Sequence, residues 1–145
     1  MTPETLENNK KIARQTFEAF EKNDITMIDN LYDQDRLKVH FPGTPGPMNF
    51  SDYKKMNSEY INAFPDVKIS VDFQIAEGEY VCTHVTFDGT HKGGFQGIQA
   101  SNKKVKLTSV SIDRIVNGKI IEEWNEFDQL SLMKQIGAVP EMVNQ

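Results

Sequence analysis

A carboxylate beside an aromatic wall is the simplest acid/base pair a chain can carry, and this one carries it near its end. Trp124, the only tryptophan, precedes Asp128 by four residues. In an extended strand residues four apart point the same way, so indole and carboxylate would share a surface. An apolar neighbour disfavours the ionised form and raises the carboxyl pKa, which is half of a general acid/base site. The same residue fits a second role. Asp128 precedes QLSLMKQI, a short helical pattern stopped by Gly137, and would serve as its N-cap. Spacing leaves both roles open, and they are compatible.

Of the three histidines, His91 shares the phase of Val85 and Phe87 in unbroken alternation, at the rim of one apolar face. An imidazole there can orient or polarise a substrate oxygen; a hydrogen-bonded loop histidine explains it equally well. His40, beside the stiff loop PGTPGP at residues 42 to 47, is read in the same two ways. His84 lies in the opposite phase to Val81, Val85 and Phe87 and reads as a structural or surface residue. The histidines have no metal-ligand spacing, no CxxC exists, and Cys82 reads as a strand filler. Gly89, Gly93, Gly94 and Gly97 form no nucleotide-binding GxGxxG pattern. Neither a metal nor a cofactor is expected.

These residues need elements to position them. Thr2-Pro3-Glu4 opens a helix whose face carries Ile12, Ala13, Thr16, Phe17 and Phe20. Asn23-Asp24 breaks it, and Asp24 caps a shorter helix through Ile25, Ile28 and Leu31. A short strand at 37 to 41 follows. A third helix, capped by Ser51, presents Tyr53, Met56, Asn57, Tyr60, Ile61 and Phe64 until Pro65 ends it. From Val67 the period falls from 3.6 to 2. Val67, Ile69, Val71, Phe73 and Ile75 alternate with mostly polar residues, then strands at 80 to 90 and 105 to 116 follow. Asn117-Gly118 is a strong type I′ hairpin signal leading into 119 to 127. A two-residue turn there would oppose Asp113 to Glu122, an unfavourable pair that calls for a bulge or for two solvent-facing side chains.

The 145 residues form one domain, 1–145, with 38% apolar and 26% charged residues, ordinary for a globular protein. A net charge of −5 argues against nucleic acid or an anionic membrane as partner. No signal peptide or transmembrane run is expected, and a lone Cys82 suits a cytoplasmic setting.

GTHKGGFQG from Gly89, the basic-flanked strand, the NG turn, IIEEW and DQLSLMKQIG together resemble the SnoaL-like polyketide cyclases, or ester cyclases, of the nuclear transport factor 2-like superfamily. Residues 89 to 137 carry the resemblance most fully; AFPD at 63 to 66, the HFPGTPGP loop and the first helix extend it. It implies an α+β fold, a cone-shaped α+β barrel in which three N-terminal helices pack on a curved antiparallel sheet around an apolar pocket. It also implies homo-oligomers; independently, Val110, Ile112 and Phe127, opposite in phase to Trp124, form apolar surface in need of a partner, so a homodimer through that face is expected. By position the resemblance makes Asp128 the general acid/base of an intramolecular aldol cyclisation or isomerisation, without cofactor or metal. His91 would be its catalytic neighbour. Trp124, with His40, Phe20, Tyr60 and Phe64, would line the pocket of a small apolar carbonyl-containing substrate. One departure is Glu123, where many relatives have histidine. A non-catalytic binding or dimerisation module of the same fold is the alternative.

Overall fold

In a computed structural model, which describes residues 1–139, four helices and five strands run in the order α1 (Pro3–Lys22), α2 (Ile25–Leu31), β1 (Lys38–His40), α3 (Phe50–Ala63), β2 (Lys68–Glu77), β3 (Tyr80–Thr90), β4 (Lys104–Val116), β5 (Lys119–Phe127) and α4 (Gln129–Gln135). Local chemistry sets the boundaries. Thr2 caps α1 by accepting from the Thr5 amide, and Asn23 ends it at φ 52. Asp24 caps α2. The cap of α3 is Asn49, which accepts from the Asp52 amide, and not the expected Ser51. Either side chain can satisfy an orphan donor; Asn49 holds the extended backbone that a cap requires.

The sheet order is β1-β5-β4-β3-β2. β2 through β5 form the expected antiparallel meander, and Asn117 and Gly118 take the positive φ of its last turn. Two expectations fail. β1 runs parallel to β5, so the sheet is mixed. It is also open: β1 and β2 are not paired with each other, and no barrel closes. Closure needs strands that reach around in a consistent stagger. β1 is three residues long, and beyond β5 its strand pairing is one bridge, Val39 to Met48. On the other edge α1 lies against β2, with Gln74 bonded to Arg14 and to the Lys10 carbonyl.

Two bulges decide which side chains face the helices. Between Val71 and Phe73 the β2 register shifts, so Ile69 packs inward while Phe73 and Ile75 stand 54% and 62% exposed on the outer face. The unbroken alternation read over Val67 to Ile75 therefore does not hold. In β5, Ile120 pairs with Ile115 and Glu122 with Arg114, leaving Ile121 as the extra residue. A bulge of this kind reverses the facing of everything beyond it. Glu123, Asn125 and Phe127 turn towards the helices, and Trp124 turns away.

The core has two apolar clusters between helices and sheet. One gathers Ala13, Ala19, Ile28, Leu31, Val39, Val81, Ile115 and Ile120; the other Ala63, Phe64, Phe95, Val105, Leu132 and Ile136. Burying each large aliphatic side chain stabilises the fold by about 1.5–3 kcal/mol. The loop after β3 docks on the end of α3 through the Lys92 and Gly93 amides, both donating to the Ala63 carbonyl. A Cβ at Gly93 would meet the Asn62 carbonyl oxygen at 2.1 Å, so only glycine permits that approach.

Candidate active site

Between the two clusters lies a cavity of about 140 Å³. It exists because the inner face of β4 changes from Val105 and Leu107 to Ser109 and Ser111, whose small side chains leave space beneath the helices. Phe17 and Phe20 of α1, Tyr60 and Phe64 of α3, Phe41, Phe87 and Phe127 supply apolar wall. Burial pushes the Tyr60 hydroxyl up to about 12, so it stays neutral. Among the described residues the lining contains no lysine, arginine or histidine.

The polar end of the cavity is built from Tyr32, Tyr53, Glu123 and Asn125. Glu123 is 2% exposed. The Tyr32 hydroxyl donates to its Oε1 at 2.9 Å, and Asn125 Nδ2 donates to its Oε2 at 2.9 Å. Tyr53 lies 3.2 Å from Tyr32, hydroxyl to hydroxyl. Burial, then the charge of Glu123, pushes both tyrosines well above the usual phenol range. Directly across the hairpin stands Asp113, wholly buried. No hydrogen-bond partner reaches either of its oxygens, and the residue facing it across the strands is Glu123. Two carboxylates cannot both stay ionised at that separation from water; one proton between them gives a bond that satisfies both. Desolvation, then Glu123, holds the Asp113 carboxyl well above the usual carboxylate range, so Asp113 resists ionisation beside Glu123.

Of the residues expected at the site, Phe20, Tyr60 and Phe64 line the cavity. Trp124 does not. It lies on the outer face of the sheet, stacked on His40 at 5.2 Å and 8°, and His40 Nε2 meets Glu122 Oε2 at 2.6 Å. His91 is wholly buried but outside the lining. Its Nδ1 accepts from the Ser101 amide, so the ring proton sits on Nε2, which has no partner beside the Phe64 ring. Asp128 is exposed, and its Oδ1 accepts from the Ser131 amide at 2.9 Å as the N-cap of α4. Its carboxylate is not part of the cavity wall.

The sequence marks none of Tyr32, Tyr53, Asp113, Glu123 and Asn125 as site residues: Tyr53 reads as part of a helix face, Asp113 as half of a strand-pair conflict and Glu123 as a departure from relatives. A signal for one was present: Asp113 shares the phase of Val105, Leu107 and Ile115, and a carboxylate in the apolar phase of a strand needs a buried partner.

The sequence profile of the SnoaL-like polyketide cyclases matches residues 10–136. The chain belongs to this family. Solved SnoaL-like folds superpose closely. A candidate SnoaL-like polyketide cyclase from Jannaschia sp. CCS1 has a TM-score of 0.86 at 20% identity, covering 97% of this chain and 98% of that one. AclR from Streptomyces galilaeus, a candidate hydroxylase, gives 0.83 at 23% identity over 95% and 86%. IdmH from Streptomyces antibioticus, a candidate polyketide cyclase, gives 0.79 at 23% identity over 89% and 98%. Likeness at such identities establishes the SnoaL-like fold and nothing finer. A comparison with curated protein sequences finds no match. No described helix is long and apolar enough to cross a membrane.

Proposed function

We propose that the protein is a cofactor-independent enzyme acting on a small neutral carbonyl compound, with Glu123 as the base that removes a proton next to the carbonyl. Aldol cyclisation or isomerisation follows from the resulting enolate. The observation that carries this reading is a carboxylate on the cavity wall, with buried Asp113 opposite it in the hairpin and two phenol groups at its cavity side. A proton flanked by carbonyls is acidic enough for a carboxylate base in a dry site, and neutral donors nearby stabilise the enolate. Asp113 supports Glu123 from behind and is a positioning residue. The aromatic walls suit a planar, apolar substrate body, and a lining without cationic side chains disfavours an anionic one.

Assembly belongs to the same reading. The outer face of the sheet carries Phe73, Ile75, Tyr80 and Ile112, exposed by 37% to 62%. Apolar area of this kind on a surface without helices favours a homodimer through that face. Val110 and Ile112 remain on it as expected; Phe127 lines the cavity instead, and Trp124 takes its place outside.

The deciding experiment follows exchange of the α-protons of 2-tetralone, a neutral fused-ring ketone, in D2O by NMR. Glu123→Gln keeps the size and removes the base, so exchange should fall by about 10²–10⁴. Undiminished exchange in that variant would sink the assignment and favour a binding module.

A further inference from the structure

Glu123, Tyr32 and Tyr53 form a chain whose hydrogen-bond direction is forced. An ionised carboxylate only accepts, so the Tyr32 hydroxyl must donate to Glu123 Oε1, over 2.9 Å. A phenol has one proton. With that proton committed, Tyr32 can only accept from Tyr53, over 3.2 Å. Tyr53, on the cavity wall, therefore has its own proton turned away from the ligand whenever Glu123 is charged. What the resting site offers through Tyr53 is a pair of lone pairs.

Protonating Glu123 at Oε1 allows every link to reverse. The carboxylic acid donates to Tyr32, Tyr32 donates to Tyr53, and the Tyr53 proton becomes free for an oxygen in the cavity. We infer that Glu123, Tyr32 and Tyr53 are a proton wire that carries a proton from the carbon of a bound carbonyl compound to one of its oxygens. This rests on Glu123 being the base, as proposed above, and adds Tyr53 as the oxygen-side acid and Tyr32 as the relay between them.

The balance closes within the chain. The C–H bond breaks to Glu123 Oε1, and its electron pair leaves the substrate as an enolate, or as an alkoxide once the enolate has added to a second carbonyl. The chain turns over, and Tyr53 gives its proton to that oxygen. Tyr53 then takes the Tyr32 proton and Tyr32 takes the Glu123 proton. Glu123 is a carboxylate again, and both phenols point as they did at rest. One proton has moved from carbon to oxygen, with no net change in the enzyme and no co-reactant. Both phenols are held neutral by burial, so each acts as a hydrogen-bond relay and not as a resident phenolate. The wire also sets an order: the oxygen receives its donor only after the carbon has given up its proton.

The test is a double-mutant cycle read by calorimetric binding of 2-tetralone, a hydrogen-bond acceptor with no proton to donate. Glu123→Gln imitates the protonated carboxyl, because its amide can donate to Tyr32 and so release Tyr53. It should bind the ketone about three- to tenfold more tightly than the parent, the worth of one neutral hydrogen bond. In a Tyr32→Phe background the relay is gone, and the gain should vanish. An equal gain with Phe at 32 would mean that loss of the Glu123 charge, or a direct Tyr53–Glu123 bond, improves binding, and the wire through Tyr32 would be wrong. If Tyr32→Phe does not fold, Tyr53→Phe probes the same chain from its other end: the gain must disappear there too, and its persistence overturns the inference. Failure of the base reads differently, since α-proton exchange would then survive Glu123→Gln whatever the binding cycle shows. Absence of ketone binding to parent and variants alike overturns both.

Discussion

Asp113 and Glu123 stand opposite each other on β4 and β5 because Ile121 is an extra residue in the hairpin. Without it the register of a two-residue turn would oppose Asp113 to Glu122 and leave Glu123 outside. With it, two acids are buried face to face, one on the wall of an aromatic cavity, and Arg114 meets Glu122 across the outer side instead. The bulge thus separates Asp113 from Glu122 and places Glu123 opposite it, and burial favours a proton on Asp113 over ionisation of both acids.

That proton has a consequence for stability. Native Asp113 holds it above the ordinary carboxyl value near 3.8, where the unfolded chain releases it. The unfolded state then binds fewer protons than the native one, so this site's contribution is complete below about pH 4 and is lost as pH rises towards the raised native value. One proton gives a slope of at most about 1.4 kcal/mol per pH unit. Asp113→Asn keeps the donor to Glu123 and removes the titration. Urea melts at pH 5 and pH 8 should show the variant gaining on the parent as pH rises. Parallel pH profiles would place the proton elsewhere.

Asp128 offers the reverse test. Its carboxylate satisfies the Ser131 amide at the start of α4, so Asp128→Ala should lower stability by about 0.5–2 kcal/mol, and Asp128→Asn by far less. Ketone α-proton exchange should survive in both. Exchange abolished in Asp128→Asn, with stability intact, would return the base to that position and remove Glu123 from it.

The elements were legible because their signals are local. Thr2, Asp24, Pro65 and the Asn-Gly pair act within a turn of chain, and each lies where its chemistry asks. The apolar helix face of Phe20, Tyr60 and Phe64 was legible too, since a period of 3.6 survives packing. What could not be read is facing beyond a bulge. One extra residue in β5 exchanges Trp124 for Glu123, and another in β2 puts Phe73 and Ile75 outside, with no change in composition to mark either. Openness of the sheet is likewise a matter of how far β1 extends, which three residues of sequence do not announce. The buried acid in the apolar phase of β4 was visible, but its partner lies one bulge away.

Filling the cavity should separate binding from folding. Ser111 is 1% exposed on the cavity floor, opposite Asn125, and its small side chain helps leave the space open. Ser111→Leu adds methylenes to a site with room for some of them, so destabilisation should stay within about 1–3 kcal/mol while ketone binding is lost. Calorimetry and a thermal melt on the same sample read both. Retained affinity would mean that the ligand sits elsewhere.

The outer face predicts its own readout through the single tryptophan. Trp124 stacks on His40, pairs across the strands with Ile112 and lies 6.3 Å from Tyr80, all on the side away from the cavity. If two copies meet through this face, dilution should expose the indole to iodide, and concentration should protect it. Phe73→Glu places a charge at the most exposed aromatic ring of that face, 54% accessible in the single chain, and burial of an unpaired carboxylate is costly. The variant should therefore sediment as a monomer, with Trp124 freely quenched at every concentration, and keep its α-proton exchange because the cavity lies on the opposite side. Since Trp124 is not packed within the core, Trp124→Ala should cost clearly less than the about 3–5 kcal/mol of a core aromatic in that monomer. A parent protein that sediments as a monomer over the whole range, with quenching independent of concentration, would remove the dimer while leaving the site intact.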